Sequence, residues 1–562
     1  MKILKDYQYS IIFIFTLIFN FLIFIINYLN YDSTRGTDFV KYRPHLDYYL
    51  YGLENGLEEQ GVGYYWVISQ FSKIKINSLK YSIEYEPLLV NFGIQFGNFM
   101  FYAIGCAGIY KLLRYFKTSS IHSLLIINLV AVFPPILGAR MILKPEIMAF
   151  AYLPWCIYII YKFLDKNNFK LLFLIVPLIS ILVSAKASMS LMVALSLLIF
   201  LQKDFLSKRI IPILILTLSI FLLLVVESEN INNKYLWETA LNSENYDYVA
   251  PLDFLVSINS ELISNPYRDS QASSMIGILL LDTFGDYWQR YWYHKDAWLN
   301  NQYPGNLTNT RVGIFLSSIF YFYLIVSIFK DRDNKFKKLG LLSFVGIVTL
   351  VINIYNVFPF LTKNFDPYKG DPIKTHYFSF LLVFSFIYML AKAFKNDKKF
   401  LVYPFLVFVF LFSFNIQKSI SIEEIKANQT VLNKLHILSP CLLNDPIRKI
   451  IDYSGGWCNE AQYSLKICEG EYNADLSPYI ENDYYIYPPD EIYNSRNLIL
   501  DDSTVTVSNY FECLSYVQSG YISQNANLYF FNSTKQLPYI FFVAFIFSNL
   551  SIIYLVTFLR NK

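Results

Sequence analysis

The feature that most constrains this chain is its succession of long apolar runs. A run of about 15–25 apolar residues is long enough to cross a hydrocarbon core of about 30 Å. The sequence has about twelve such runs, and 55% of its residues are hydrophobic while only 16% are charged. A soluble chain carries about 25% charged residues and has no way to bury so much apolar surface. We therefore expect an all-α polytopic membrane protein with spans near 11–29, 87–113, 121–137, 147–163, 171–183, 189–201, 210–226, 312–329, 339–358, 375–393, 400–414 and 538–559.

Basic residues predict how these runs are oriented. If the N-terminus lies inside, every second loop is basic, as cytoplasmic loops usually are. The first run has no small-residue cleavage site, so we expect an uncleaved anchor and two cytoplasmic termini. The loops concerned contain Lys2 and Lys5; Lys111, Arg114 and Lys117; Lys162, Lys166 and Lys170; Lys203, Lys208 and Arg209; Lys330, Arg332, Lys335, Lys337 and Lys338; Lys392, Lys395, Lys398 and Lys399; and Arg560 and Lys562.

This orientation divides the chain into three parts. Residues 1–414 form a multi-span domain with large outer loops at 30–86 and 227–311. Residues 415–537 form a small mixed α/β outer domain, with a helix predicted over 422–438 and strands over 484–487, 504–507 and 528–531. Residues 538–562 add a last span and a cytoplasmic tail. We expect an integral protein of a bacterial inner (plasma) membrane whose chemistry lies on the periplasmic face.

The cysteines fit this arrangement. Cys106 and Cys156 lie inside predicted spans, where a free cysteine behaves as a small apolar residue. An even set in an oxidising compartment favours two disulfides, with three possible connectivities, over a metal site, because no C-x-x-C pair occurs. That set lies in the outer domain and consists of Cys441, Cys458, Cys468 and Cys513.

A charged cluster follows the first span. Asp38 stands between Arg35 on one side and Lys41 and Arg43 on the other. These cations favour an ionised carboxylate and are also suited to bind phosphate. An ionised, fixed carboxylate is what a general base for a hydroxyl group requires. The alternative is a solvated charge cluster that caps the first span.

A second group of charged residues lies between the third and fourth predicted spans. Arg140 and Lys144 lie on the predicted outer side, against the usual distribution, and such charges often hold an anionic group. Pro145 suits the first turn of the next helix, and Glu146 lies favourably beside the helix dipole. The alternative is that Glu146 only neutralises Lys144 at the helix N-terminus.

Further candidates for substrate or phosphate binding lie in the later outer loops. Lys186 stands between spans five and six, and His376 lies at the mouth of the tenth span, where a lone histidine is more often simply hydrogen-bonded. Arg290 and His294 belong to an aromatic strip over 284–298 that favours an interfacial helix over a carbohydrate-stacking surface. We interpret the pair in Asp331-Arg332-Asp333 as a solvated inner connector, assign no metal ligand, and leave a divalent cation open.

The arrangement resembles the GT-C class of integral-membrane glycosyltransferases. Thr37-Asp38-Phe39 with Tyr42 and Arg43 is similar to the acidic motif in the first loop of lipid-linked-sugar transferases. Arg140-x-x-x-Lys144-Pro145-Glu146 resembles an Arg-Pro-Glu pattern of related mannosyltransferases, with Lys144 in the Arg position. The span after the outer domain and the lack of an Asp-Glu pair in the first loop differ from several branches of the class.

The resemblance implies an enzyme that transfers a hexose or pentose with inversion. A polyprenyl-phosphate-sugar would enter from the outer leaflet, loop Arg and Lys residues would hold the phosphate, and Asp38 would deprotonate a glycan, lipid or protein acceptor. The first loop, with Gly61-Val62-Gly63-Tyr64-Tyr65, also resembles Wzy- or EpsG-type polysaccharide polymerases. A non-enzymatic lipid or glycan transporter ranks third. The net charge of +4 does not indicate nucleic-acid binding. The expected partners are the lipid-linked donor, the acceptor and membrane lipid.

Overall fold

The helices and strands below come from a computed structural model. It describes residues 2–30, 33, 42, 45–46, 48–49, 62–76, 86–166, 170–200, 211–232, 253–264, 266, 274–284, 307–354, 375–395, 480–481, 484–485, 496–500, 503–507 and 538–557. In chain order the helices up to residue 200 are α1 (Lys2–Asn30), α2 (Val62–Ile76), α3 (Glu86–Tyr115), α4 (Ser120–Ala131), α5 (Pro134–Met141), α6 (Glu146–Lys166), α7 (Lys170–Phe173), α8 (Ile175–Ala185) and α9 (Ala187–Phe200).

The later elements complete a helical bundle and add two short hairpins. Two 3₁₀ turns cover Ser260–Leu262 and Thr375–Phe378. The helices are α10 (Ile211–Asn232), α11 (Asp253–Val256), α12 (Met275–Phe284), α13 (Leu307–Lys330), α14 (Asn334–Ile354), α15 (Ser379–Lys395) and α16 (Tyr539–Thr557), and the strands are β1 (Ile480–Glu481), β2 (Tyr484–Tyr485), β3 (Arg496–Leu500) and β4 (Ser503–Val507).

Six of the described helices are long and apolar enough to cross a membrane: α1, α3, α6, α10, α13 and α16. The bent pair α4 and α5 makes a seventh if it counts as one span. Each overlaps a predicted apolar run, so the prediction of apolar helices long enough to span a membrane is confirmed for these segments. The span of α6 is 89% buried by other helices, whereas that of α1 is only 22% buried. Helix α6 therefore forms the centre of the bundle, and the total of about twelve spans stays a prediction.

The third predicted span is not one straight helix. Helix α4 ends at Ala131, Phe133 is extended, and α5 begins with Pro134 at an angle of 60°. Two consecutive prolines explain the break, because Pro134 and Pro135 have no N–H to continue the hydrogen bonds of α4. Phe133 fixes the bend by stacking on Phe386 of α15 at a ring distance of 4.3 Å.

The predicted outer loop 30–86 contains a buried helix, α2. Its Tyr64 and Tyr65 are fully buried, and its helix packs directly on α3. Gly93 and Gly97, four residues apart on α3, permit this close approach: a Cβ on Gly93 would lie 1.8 Å from Ser72 Oγ. Glycines at this spacing are a common means of bringing two membrane helices into contact.

Several of the basic segments assigned to the cytoplasmic side meet at one end of the bundle. Phe116, after α3, packs on Phe336 of α14 at 5.0 Å. Lys335 Nζ lies 2.9 Å from Asp165 at the end of α6. These contacts bring together the end of α3, the end of α6 and the start of α14. This is required if their basic segments lie on the same side of a membrane. The assignment of this end to the cytoplasm stays a prediction.

The segment Asp331-Arg332-Asp333 at this end is more than a solvated connector. Asp333 Oδ1 accepts hydrogen bonds from the N–H groups of Lys335 and Phe336, which caps the start of α14. The Asp331 side chain is only 11% exposed and pairs with Lys392 at 3.1 Å. The interpretation as a solvated loop is thus wrong for Asp331, because a distant helix supplies a partner that local sequence does not reveal.

The described part of the outer domain consists of two antiparallel hairpins. Strand β1 pairs with β2, and β3 pairs with β4 in the register Leu500 opposite Ser503. These strands overlap the predicted ones at 484–487 and 504–507, while the helix at 422–438, the strand at 528–531 and the four outer-domain cysteines lie outside the described residues. Cys106 and Cys156 are free and buried in the bundle. The α/β outer domain stays a prediction.

Candidate functional site

The candidate site is built on the irregular linker between α5 and α6. Buried backbone that is not helical needs hydrogen-bond partners elsewhere in the protein. Asn98 of α3 donates to the carbonyls of Arg140 and Ile142 at 3.0 and 2.8 Å. The Tyr64 hydroxyl donates to Asn98 Oδ1 at 2.8 Å and accepts the N–H of Lys144 at 3.1 Å. Side chains of α2 and α3 thus hold the linker in place.

This linker places Lys144 among aromatic rings. The Lys144 side chain is only 1% exposed, and its Nζ lies 5.7 Å from the ring centre of Tyr42 and 5.1 Å from that of Tyr377. Tyr42 comes from the first outer loop and Tyr377 from the turn before α15. Ring faces attract ammonium groups, so both contacts favour the charged lysine. Three distant parts of the sequence meet at this ammonium.

The carboxylate of Glu146 pairs with Lys186. Glu146 lies in the first turn of α6, and its Oε1 is 2.8 Å from Lys186 Nζ. Lys186 has extended backbone between α8 and α9, with φ −161° and ψ 133°, which directs the chain from one helix into the next. One of the two sequence-based alternatives was that Glu146 only neutralises Lys144, but its partner at 2.8 Å is Lys186, forty positions away.

Tyr377 links the two lysines. Lys186 Nζ lies 4.7 Å from the centre of the same ring that Lys144 approaches from 5.1 Å. Its 3₁₀ turn is anchored by the fully buried Phe378 and by Thr375, whose hydroxyl donates to the Asp282 carbonyl at 3.2 Å. Sequence analysis selected the neighbouring His376, which lies in this turn but whose side chain is outside the described part. Nothing in the local sequence distinguishes Tyr377 from the other tyrosines of this aromatic-rich chain.

Arg140 supports the bend between α4 and α5. Its Nη2 donates to the Ala131 carbonyl, the last residue of α4, at 2.6 Å. Its guanidinium carbon lies 4.3 Å above the ring of Tyr102. The side chain is 3% exposed, and Nε and Nη1 have no hydrogen-bond partner among the described residues. In the described part of the chain Arg140 therefore contacts Ala131 and Tyr102, whereas Lys144 and Lys186 lie over the ring of Tyr377.

The arrangement combines cationic, anionic and aromatic groups. Two ammonium groups face the ring of Tyr377, Glu146 pairs with one of them, and the Glu146 side chain is 2% exposed. Glu146 Oε2 is buried without a hydrogen-bond partner in the described part of the chain. Such a set is suited to bind an anion and to accept a hydrogen bond from a hydroxyl group. Among described residues, no three His, Cys, Asp or Glu side chains group as a metal site would.

The structure thus brings three of the predicted residues, Lys144, Glu146 and Lys186, together around Tyr377, while Arg140 lies at the bend between α4 and α5. Of the first-loop motif, Tyr42 lies beside Lys144 in this region. Asp38 and the other first-loop and aromatic-strip candidates, Arg35, Lys41, Arg43, Arg290 and His294, lie outside the described residues.

Comparison of this chain with protein-family models, with curated proteins and with solved structures finds no match.

Proposed function

We propose that the chain is a GT-C-type membrane glycosyltransferase. It transfers a sugar from a polyprenyl-phosphate carrier to a glycan, lipid or protein acceptor of the cell envelope, with inversion at the anomeric carbon. The reaction takes place at the periplasmic face of a bacterial inner membrane. The proposal extends the sequence resemblance and rests on the site around Tyr377.

The observation that carries the proposal is the pair of ammonium groups over the Tyr377 ring. Lys144 and Lys186 are both in the bundle of a membrane protein, where burying charge is costly and usually serves a substrate. Glu146 pairs with Lys186 at 2.8 Å, so the group combines two ammonium groups with a carboxylate. Ammonium groups bind phosphate, and the chain of a lipid-linked phosphate extends into the surrounding bilayer.

Tyr42 supports the proposed role of Asp38 as the base. Its ring faces Lys144 at 5.7 Å, and Asp38 precedes it by four residues. Covalent geometry alone limits the distance between the two Cα atoms to about 14 Å, whatever the conformation. In-line displacement needs the base and the phosphate-binding groups on opposite sides of one sugar ring, and this limit is compatible with that requirement.

Sugar transfer by purified protein in lipid nanodiscs tests the proposal. Radiolabelled polyprenyl-monophosphate sugars serve as donors and a cell-envelope extract as the acceptor. We expect Asp38→Asn to abolish transfer while donor binding persists, and Lys186→Gln to weaken donor binding. The matched control is Lys335→Gln, which removes the ion pair with Asp165 at the other end of the bundle. Thermal unfolding of every variant confirms that the fold is retained.

The outcomes separate the alternatives. Transfer that Asp38→Asn leaves unchanged would keep the class of enzyme but remove Asp38 as base. Chain growth only with diphosphate-linked oligosaccharides would identify a Wzy- or EpsG-type polymerase instead. No transfer from any of these donors would contradict the enzymatic proposal.

The bent pair α4 and α5 is an observation in favour of the third alternative, a transporter. Broken helices beside buried charges are typical of transporter binding sites, and Arg140 lies at the break with Lys144 just beyond it. Movement of labelled polyprenyl-phosphate-sugar between the leaflets of protein-containing liposomes measures this activity. Movement without transfer to any acceptor would favour the transporter over the enzyme.

A further inference from the structure

The α5–α6 linker depends on two uncharged side chains. Tyr64 and Asn98 are both fully buried. Together they make four hydrogen bonds of 2.8–3.1 Å, one to each other and three to the main chain of Arg140, Ile142 and Lys144. The Lys144 N–H also donates to the Ile142 carbonyl at 3.0 Å, but that bond lies within the linker and does not tie it to α2 or α3.

We propose that Tyr64 and Asn98 are positioning residues that set the place of the Lys144 ammonium in the anion site. Neither side chain needs to touch the ligand. The Tyr64 hydroxyl accepts a hydrogen bond from the main-chain N–H of Lys144. Asn98 accepts one from the Tyr64 hydroxyl and donates to the carbonyls of Arg140 and Ile142, which precede Lys144 in the chain. The inference rests on the proposed function, because it assumes that Lys144 binds the anionic group of a lipid-linked donor.

The physical reason is the rigidity of the two supporting helices. Asn98 stands on α3 and Tyr64 on α2, and these helices are pressed together at Gly93 and Gly97. A linker bonded to two packed helices keeps one conformation, so Lys144 needs no reordering when a ligand arrives. Without the Tyr64 hydroxyl, Asn98 Oδ1 loses its donor and the Lys144 N–H loses its link to α2, although it still donates to the Ile142 carbonyl at 3.0 Å. The linker is then tied to α3 alone by these bonds, so it is less firmly held in one conformation.

Binding of tritium-labelled polyprenyl phosphate to the full chain in phosphatidylcholine nanodiscs tests this proposal. We expect Tyr64→Phe to weaken binding by roughly tenfold, within the range of coupled neighbours. The control is Tyr388→Phe, which also removes a hydrogen-bonded tyrosine hydroxyl, here one that contacts Ser327, Asp331 and Lys392 at the opposite end of the bundle. That variant should bind like wild type.

A double-mutant cycle separates positioning from general destabilisation. If Tyr64 acts through Lys144, Tyr64→Phe should cause no further loss of binding in a Lys144→Gln background. A purely structural role would weaken binding by the same factor in both backgrounds. Asn98→Ala provides a second variant for the same cycle, so the test does not depend on the folding of one protein.

Three results are decisive. The inference is supported if Tyr64→Phe weakens binding in the wild-type background but not in a protein that also carries Lys144→Gln. Wild-type binding by Tyr64→Phe and Asn98→Ala, or equal losses in both backgrounds, overturns the inference and leaves the proposed function intact. Absence of binding by wild type overturns the proposed function, and the inference falls with it.

Discussion

The ion pair of Glu146 and Lys186 is the residue-scale feature that most affects stability at the site. Removing one partner of a buried pair leaves an uncompensated charge, which typically costs about 3–5 kcal/mol. Removing a solvent-exposed pair costs only about 0–1 kcal/mol. The chain contains both kinds, since the Lys335 and Asp165 side chains are 44% and 38% exposed while those of Lys186 and Glu146 are 12% and 2% exposed.

We therefore predict that Lys186→Met lowers the free energy of unfolding by about 3 kcal/mol. The variant Lys335→Met should lower it by less than about 1 kcal/mol. Adding Glu146→Leu to Lys186→Met should restore most of the loss, because the Glu146 carboxylate is then no longer buried without its Lys186 partner. Denaturant unfolding in detergent measures all three, and equal losses for the two lysines would contradict the prediction.

Asp331 makes stability depend on pH at the opposite end of the bundle. Burial alone raises the pKa of its carboxyl, but hydrogen bonds from the Tyr388 hydroxyl, the Asp333 N–H and the Lys392 ammonium hold that pKa below its ordinary value. A carboxyl with a depressed folded pKa stabilises the fold above its unfolded pKa of about 3.9. That stabilisation is lost as the pH falls through the folded pKa.

We predict that Asp331→Asn lowers the Tm at neutral pH and that the difference from wild type shrinks below about pH 4. Tm measurements of both proteins between neutral pH and about pH 3 test this pH dependence. A difference that is constant over this range would exclude Asp331 as its source. Arg332→Gln, at an exposed neighbour, is the control and should follow wild type.

At the scale of elements, the contact between α2 and α3 holds the site together. A Cβ on Gly93 would lie 1.8 Å from Ser72 Oγ and 2.8 Å from Ser72 Cα, so the backbone of α2 would have to move. We predict that Gly93→Ala destabilises the protein by about 1–3 kcal/mol, the usual cost of overpacking. Met100→Ala, on an exposed face of the same helix, should have little effect.

The same substitution should also weaken the anion site. Tyr64 and Ser72 belong to one helix, so displacing α2 moves the hydroxyl that holds the Lys144 N–H. Polyprenyl-phosphate binding by Gly93→Ala, measured beside Met100→Ala, checks this link. Destabilisation without any change in binding would show that α2 shifts as a body without disturbing the linker.

At the scale of the molecule, the predicted orientation places the Lys186 and Asp331 ends on opposite sides of the membrane. Single cysteines report this directly. We predict that Ile258→Cys reacts with a membrane-impermeant maleimide in intact cells, whereas Arg332→Cys reacts only after permeabilisation. Both positions are exposed, Cys106 and Cys156 are buried, and the unmodified chain gives the background. The opposite labelling pattern would reverse the proposed orientation.

The amino-acid sequence by itself determined that this chain contains apolar helices long enough to cross a membrane, because the length and apolar character of each run are local properties. It also selected Arg140, Lys144, Glu146 and Lys186, since charges beside apolar runs are conspicuous. The two prolines that break the third span were visible too, but the angle of 60° was not.

Only the tertiary structure decided which of these groups meet. Lys186 reaches Glu146 across forty positions, Tyr377 joins the two lysines from a later turn, and Tyr64 brings an outer-loop helix into the bundle. Pairing of this kind depends on how helices pack around α6, and packing is set by shape across the whole bundle rather than by residues near in sequence. The sequence therefore supplies the charges of the site, and the packed helices supply its geometry.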